Sequence, residues 1–386
     1  MNARKVFSSG VDAGLCEENT IEQGIMEYFR FNLNRKYSTG LAAMLCLASL
    51  SAGAGEIRGL GRNAPGYLTA TPGVELAFPR DYGAHPGFRV EWWYLTANLH
   101  DRAGAAYGAQ WTLFRVGLAP GPEGTGWESG AIFMGHAAAT SASEHLFAET
   151  FARGGIGQAG VSAEPFEAFI DDWSMKAPGE GISRLSVAAE GNGFSYKLAL
   201  TSEKGPVAQG DRGYSQKSET GQASYYFSEP FYAVEGEIRL HGKPVRVSGR
   251  AWMDREWSGQ YLAPEQKGWD WFALHLPGNE KLMLFRLRSV TGRNFLTGNW
   301  ISATGESQQL GPGDISIEPL AETRLEAATL PTRWRLGVRS HGLDIETAPL
   351  NPSSWMGTRF PYWEGPISFS GSHQGEGYLE MTGYSQ

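Results

Sequence analysis

The stretch Arg184-Leu-Ser-Val-Ala-Ala-Glu-Gly-Asn-Gly-Phe-Ser-Tyr-Lys-Leu-Ala-Leu200 carries apolar and polar side chains in alternation on both sides of a glycine-rich break. Successive side chains of an extended backbone point to opposite faces, so a period of two marks a strand with one face buried. Gly191-Asn-Gly193 supplies residues that accept the backbone angles of a tight turn. Arg184 to Val187 and Tyr196 to Leu200 therefore read as strands with a turn between them.

The same pattern recurs along the chain in both directions. Alternating runs occupy Phe88 to Leu99, Ala109 to Gly117, Pro244 to Trp252, Trp269 to Leu276 and Lys281 to Ser289. Two more lie at Trp334 to Val338 and Tyr378 to Thr382, while Pro277-Gly-Asn279 and Thr291-Gly292 supply further turns. Helical periodicity is almost absent; one patch with a helical reading covers Ser143 to Arg153. The 13 tryptophans and 51 glycines fit short strands and tight turns better than long helices. The class predicted is all-β, a sandwich or barrel. Polar residues with Gly259 and Pro264 interrupt the pattern between Ser258 and Lys267, which predicts a first domain over 55–258 and a second over 259–386.

Residues 1–54 read as an address rather than as structure. Arg35 and Lys36 precede the apolar run Leu41-Ala-Ala-Met-Leu-Cys-Leu-Ala-Ser-Leu50, and Ala52-Gly-Ala54 follows it. That order is the pattern of a secretory signal peptide, and the run is too short to cross a bilayer, which takes roughly 20 residues. Asp12, Glu17, Glu18 and Glu22 suit a signal poorly, so translation is predicted to begin at Met26. Cleavage near Ala54 would export the mature chain to the periplasm or envelope without its two cysteines, Cys16 and Cys46. Leu45, before Cys46, is not the small residue that a lipid-attachment site requires. A formal charge of −8 with no basic tract argues against nucleic acid as a partner.

Four further stretches are longer and more unusual. They are Phe78-Pro-Arg-Asp81 with His85-Pro-Gly-Phe-Arg-Val-Glu-Trp-Trp-Tyr94; Gly249-Arg-Ala-Trp-Met-Asp-Arg-Glu-Trp257; Gly268-Trp-Asp-Trp-Phe272 with Leu284-Phe-Arg-Leu-Arg288; and Tyr362-Trp-Glu-Gly365 with Gly377-Tyr378 and Thr382-Gly-Tyr384. Together they resemble the carotenoid 1,2-hydratase (hydroxyneurosporene synthase) and AttH-like family. The resemblance implies two lipocalin-like antiparallel β-barrel domains packed together. It also implies a hydrophobic ligand, with an acyclic isoprenoid as one substrate class and addition of water across an isolated C=C bond as the reaction. The key aspartate of such hydratases maps onto Asp254; Trp252 stands where a tyrosine is expected, and Tyr225, Tyr226 or Phe227 would supply a further aromatic. AttH-like members resemble accessory components of ABC transport systems, so a non-catalytic lipid carrier with transporter subunits as partners is the rival expectation.

The residues support the same chemistry independently. Hydrating an unactivated alkene takes a proton donor and a surface that tolerates a carbocation. A carboxyl group with its pKa raised by burial serves as the first. Aromatic faces serve as the second through cation–π attraction, worth about 0.5–2 kcal/mol. Strand periodicity places Trp252, Asp254 and Glu256 on one face, an acid beside an indole with a second acid to activate water. Asp254 and Glu256 could instead pair with Arg255, Arg286 or Arg288 at a domain seam. Glu91 is either a pocket acid or half of a buried salt bridge. Candidates for ligand contact are Glu91, Trp93, Tyr94, Tyr226, Phe227, Trp269 and Trp271, and Asp270 is an alternative acid. The histidines lack metal-ligand spacing, no phosphate loop or Rossmann string occurs, and Gly213-Tyr-Ser215 lacks the closing glycine of a nucleophile elbow, so no metal and no cofactor is expected.

Overall fold

The computed structural model describes residues 65–384 except 122–123, 261 and 263–264. The expected signal peptide, the start at Met26, Cys46 and the cleavage near Ala54 lie outside the described residues. A meander opens the fold: β1 (Val90–His100), β2 (Ala106–Gly117), β3 (Ala131–Ser141) and β4 (His145–Arg153). Shorter strands follow, β5 (Ala159–Ala163), β6 (Phe166–Ile170), β7 (Trp173–Lys176), β8 (Arg184–Gly191) and β9 (Phe194–Thr201). Then come β10 (Val207–Ala208), β11 (Tyr214–Gln216) and the two longest strands, β12 (Ala223–Leu240) and β13 (Lys243–Ser258). The second half holds β14 (Gln266–His275), β15 (Lys281–Ser289), β16 (Phe295–Ile301), β17 (Ser307–Leu310) and β18 (Ile315–Arg324). It ends with β19 (Thr329–Val338), β20 (Leu343–Pro349), β21 (Trp355–Met356), β22 (Tyr362–Gly371) and β23 (Gly375–Thr382). Helical geometry among the described residues is confined to three-residue 3₁₀ turns.

The hairpin of β8 and β9 follows from its sequence. Gly191 pairs with Phe194, which leaves Asn192 and Gly193 as a two-residue loop, and Gly193 takes φ +85°, open to glycine without steric cost. Leu185, Val187 and Ala189 are buried with Phe194, Tyr196 and Leu198, while their neighbours alternate outward. The patch read as helical, Ser143 to Arg153, is instead a turn and β4, paired along its length with β3. Nearly every residue of β4 is half-buried, so neither period stands out in its sequence, and pairing with β3 decides the conformation. Pro230 sits where the β12–β13 register shifts between Glu229 and Tyr232, a position where a missing N–H breaks no ladder.

Two curled antiparallel sheets result. The first runs β4-β3-β2-β1-β13-β12-β9-β8-β7-β6-β5, with β10 and β11 against β12; the second runs β17-β16-β15-β14-β23-β22-β20-β19-β18, with β21 against β22. Curling brings β3 against β8 and β9 in the first, and β16 against β18 in the second. The first sheet ends in sequence at Ser258 and the second begins at Gln266. Side chains fill both interiors: Trp93, Trp111, Phe166 and Tyr232 in the first, Phe272, Trp334, Leu336 and Trp363 in the second. A third apolar cluster, with Tyr94, Tyr226, Trp252, Trp271, Phe285 and Tyr378, lies where the outer faces of the two sheets meet. β13 records this layering. Its first half alternates or is exposed, whereas Ala251 to Ser258 is buried on both faces, one toward the first interior and one toward the second sheet.

Candidate active site

Directly opposed residues of an antiparallel pair share a face, so register decides which side chains meet. Tyr94 opposes Asp254 and Trp92 opposes Glu256 between β1 and β13. On the other side of β13, Ser228 opposes Asp254 and Tyr226 opposes Glu256. Thr112 and Phe114 of β2 continue the same two rungs. From the second sheet, Trp271 stands opposite both Phe285 and Glu380, and Trp269 opposite Leu287. All of these side chains except Ser228, with Lys217, Ser224 and Leu262, line a pocket between the sheets. The two interiors are filled by side chains, and this space lies between them.

Asp254 is 3% exposed, and its carboxyl group accepts three hydrogen bonds. Ser228 Oγ donates at 2.5 Å and Trp252 Nε1 at 2.6 Å to Oδ1, while Tyr226 Oη donates at 2.8 Å to Oδ2. Trp271 Nε1 donates to Tyr226 Oη at 3.3 Å, which orients the phenol. Removal from water pushes the Asp254 pKa up to about 7; the three donors oppose that rise, and Glu256 adds to it. Across the pocket, the carboxyl group of Glu380 accepts from Trp269 Nε1. Its pKa is also pushed up to about 7, first by burial and then by the charges of Asp254 and Glu256, against the Trp269 bond. Glu256 lies 3.0 Å from Lys217 Nζ and accepts from Ser224 Oγ. Lys217 in turn sits over the rings of Tyr226 and Phe285. The pocket thus has an ion-paired end at Lys217 and Glu256, and an aromatic remainder.

Of the residues singled out from the sequence, Asp254, Glu256, Tyr94, Tyr226, Trp269 and Trp271 come together on this pocket. Trp252 does not line it: the indole is fully buried beside Asp254 and acts as a hydrogen-bond donor rather than as an aromatic wall. Glu91, Trp93 and Phe227 face the other way. Glu91 ion-pairs with Arg255 and, at 2.9 Å, with Arg115, and these cations together with His85 hold its pKa at about 2 despite complete burial. Trp93 donates to Tyr82 O at 2.8 Å under the Arg255 guanidinium. Phe227 packs on Phe78, Tyr82 and Trp257. Strand alternation therefore selects Tyr226 over Tyr225 and Phe227, which lie in the first interior. Asp270 is held at 2.7 Å by Arg286 in the second sheet and does not line the pocket.

Sequence reasoning missed Glu380, Lys217, Ser224 and Glu364. Glu364 is buried, accepts from Tyr94 Oη at 2.5 Å, and burial beside Glu380 raises its pKa well above the carboxylate range. An acid inside an otherwise apolar strand run, as in Tyr378-Leu-Glu-Met-Thr382, was the available signal for Glu380. Lys217 follows a three-residue strand and carries none.

The AttH-like family model matches residues 69–384. No curated protein matches the chain. Among solved structures, an AttH from Nitrosomonas europaea is 31% identical with TM-score 0.73, covering 82% of this chain and 99% of that one. Kievitone hydratase from Nectria haematococca is 17% identical with TM-score 0.62, covering 84% of this chain and 98% of that one. CghA with Sch210972 is 14% identical with TM-score 0.51, over 84% and 98%. The last two likenesses are likenesses of fold.

Proposed function

Because this chain belongs to the AttH-like family, whose fold is shared with a hydratase, we propose that it adds water to an isolated C=C bond of an apolar substrate between its two sheets. The observation that carries the reading is Asp254: a buried carboxyl group on the pocket wall, whose pKa removal from water pushes up to about 7. In the forward direction the Asp254 proton forms a C–H bond with the alkene π electrons, leaving a cation on the other carbon. The faces of Tyr226, Trp271, Tyr94 and Trp92 surround that charge. Water adds to the cation, and its surplus proton passes to Glu380, whose carboxylate faces the same space. Return of that proton to Asp254 closes the cycle, and the sum is alkene plus water giving alcohol. Glu256, engaged by Lys217 and Ser224, fixes the polar end of the pocket. An acyclic isoprenoid as substrate, and export by the segment around Leu41 to Leu50, belong to the same proposal.

A second reading is a lipid carrier serving a transport system. The three donors on Asp254 favour it, since a purely structural acceptor would be bonded in this way. Asp254→Asn separates the two. The amide keeps the shape but has no acidic proton, so turnover of an acyclic terpenoid alkene falls by about 10²–10⁴-fold while ligand binding persists. Turnover at the wild-type rate in the variant would remove the hydratase mechanism, and an inactive wild type that copurifies with lipid would favour the carrier.

A further inference from the structure

Beyond Trp252 along β13, a second set of polar side chains meets across the seam. The Trp252 indole donates to Asp254 and lies edge-on to His275, ring centroids 6.2 Å apart. His275 and Lys281 are directly opposed on β14 and β15 and share a face. Both are buried, at 3% and 1% exposure. Phe231 lies at the register shift of β12, and two ammonium groups sit over its ring: Lys281 Nζ at 4.8 Å and Lys204 Nζ at 5.5 Å. Arg250, exposed, stands two residues before Trp252 and so on the same face of β13. Burial, and after it the charges of Arg250 and Lys204, push the Lys281 pKa down to about 7. A lysine is almost never fully buried without a paired charge. Lys281 donates only to Asn279, at 3.3 Å to O and 2.8 Å to Oδ1, so one of its three N–H groups is left over. His275 Nδ1 is likewise buried without a hydrogen-bond partner. Among the described residues, no carboxylate pairs with Lys204, Arg250 or Lys281. Glu376, the acid opposite His275 on β23, lies 3.4 Å from His100 instead.

We propose that Lys281, Lys204 and Arg250, with His275 behind them, form a phosphate-binding site at this edge of the seam. Three cations at one spot suit a doubly charged phosphate better than a singly charged carboxylate. A phosphate oxygen accepts the N–H that Lys281 leaves over, and its charge offsets three cations that otherwise repel one another. Lys204, Phe231 and Arg250 come from the first half of the chain, His275 and Lys281 from the second sheet, so the bound group ties the two together. The site stands apart from Asp254 and does not depend on the hydratase reading. The free ion and the monoester end of a larger molecule share this chemistry, and the experiment tells them apart.

The test is titration calorimetry of the wild type with inorganic phosphate, glycerol 3-phosphate and acetate at constant ionic strength. Phosphate or its ester binds saturably, one per chain, and raises the midpoint of thermal unfolding. Tighter binding of glycerol 3-phosphate assigns the site to a monoester, and tighter binding of phosphate assigns it to the free ion. Lys281→Met and Arg250→Gln each weaken that binding by about tenfold or more, the loss of one charge-assisted contact. Arg246→Gln removes the same charge from an exposed arginine of β13 that faces Glu237 at 3.6 Å, and leaves the affinity unchanged. Should circular dichroism find Lys281→Met unfolded, Arg250→Gln carries the comparison. Three results overturn the proposal: no saturable binding to the wild type, acetate binding as tightly as phosphate, or equal weakening by Arg246→Gln and Arg250→Gln.

Discussion

Asp254 shows how a single side chain is tuned by opposing forces. Three donors favour its ionised form, yet loss of water outweighs them and the group titrates near 7. Glu380 is pushed up to about 7 by the same cause, with the charges of Asp254 and Glu256 adding to the rise. The proposed reaction needs Asp254 protonated and Glu380 ionised. Raising the pH through 7 removes the proton from Asp254; lowering it through 7 fills Glu380. The expected pH profile of kcat/KM is a bell with its maximum near 7, and Glu380→Gln loses the acid limb along with much of the rate. A profile that climbs steadily into alkaline solution would exclude Asp254 as the donor. Its position at the end of an alternating run next to Trp252 was legible in the sequence, whereas the partner acid was not, because it is contributed by the other sheet.

At the scale of the strand, two faces of the same short segment do different work. β1 and β13 give Tyr94, Trp92, Asp254 and Glu256 to the pocket, and Glu91, Trp93, Arg255 and Trp257 to the first interior. The interior face holds a buried carboxylate between two guanidinium groups, with Arg255 stacked between the Trp93 and Trp257 rings. Removing one member strands the others, a change worth about 3–5 kcal/mol in destabilisation. Glu91→Gln is therefore expected to lower stability by that amount in urea melts near neutral pH. The Glu91 pKa is depressed in the folded state to about 2 from its ordinary 4.5, so the stabilisation is full above 4.5 and disappears as pH falls toward 2. The gap between wild type and variant should close over that interval; a gap that is constant with pH would mean that charge pairing contributes nothing. Alternation made both faces readable in the sequence as sets of residues. It did not say which face was which, since each carries an acid and tryptophan.

At the scale of the molecule, the two sheets are joined by more than apolar area. Asn98 Nδ2 donates to Gly377 O at 2.8 Å, Gln266 Nε2 to Lys217 O at 2.7 Å and Gly210 N to Asn299 Oδ1 at 3.0 Å. With the Tyr94–Glu364 bond and the shared cluster around Trp252 and Trp271, the catalytic candidates belong to the seam itself. Scanning calorimetry is expected to give one transition with equal calorimetric and van't Hoff enthalpies. Two separable transitions would show that each sheet folds alone and that the seam is a weak contact.

The all-β class and the β8–β9 hairpin were determined by the sequence alone, because a period of two and the backbone freedom of Gly193 are local properties; β4 was not, since pairing with β3 decides it. The suspicion that falls on Asp254 also came from the sequence. Only the tertiary structure decided that Trp252 orients the acid instead of lining the cavity, that Glu91 is locked in an ion pair, and that Glu380 faces Asp254 across a space between sheets. Register and sheet packing determine which side chains lose their water and which charges meet, and a carboxyl group's proton affinity follows from those two quantities.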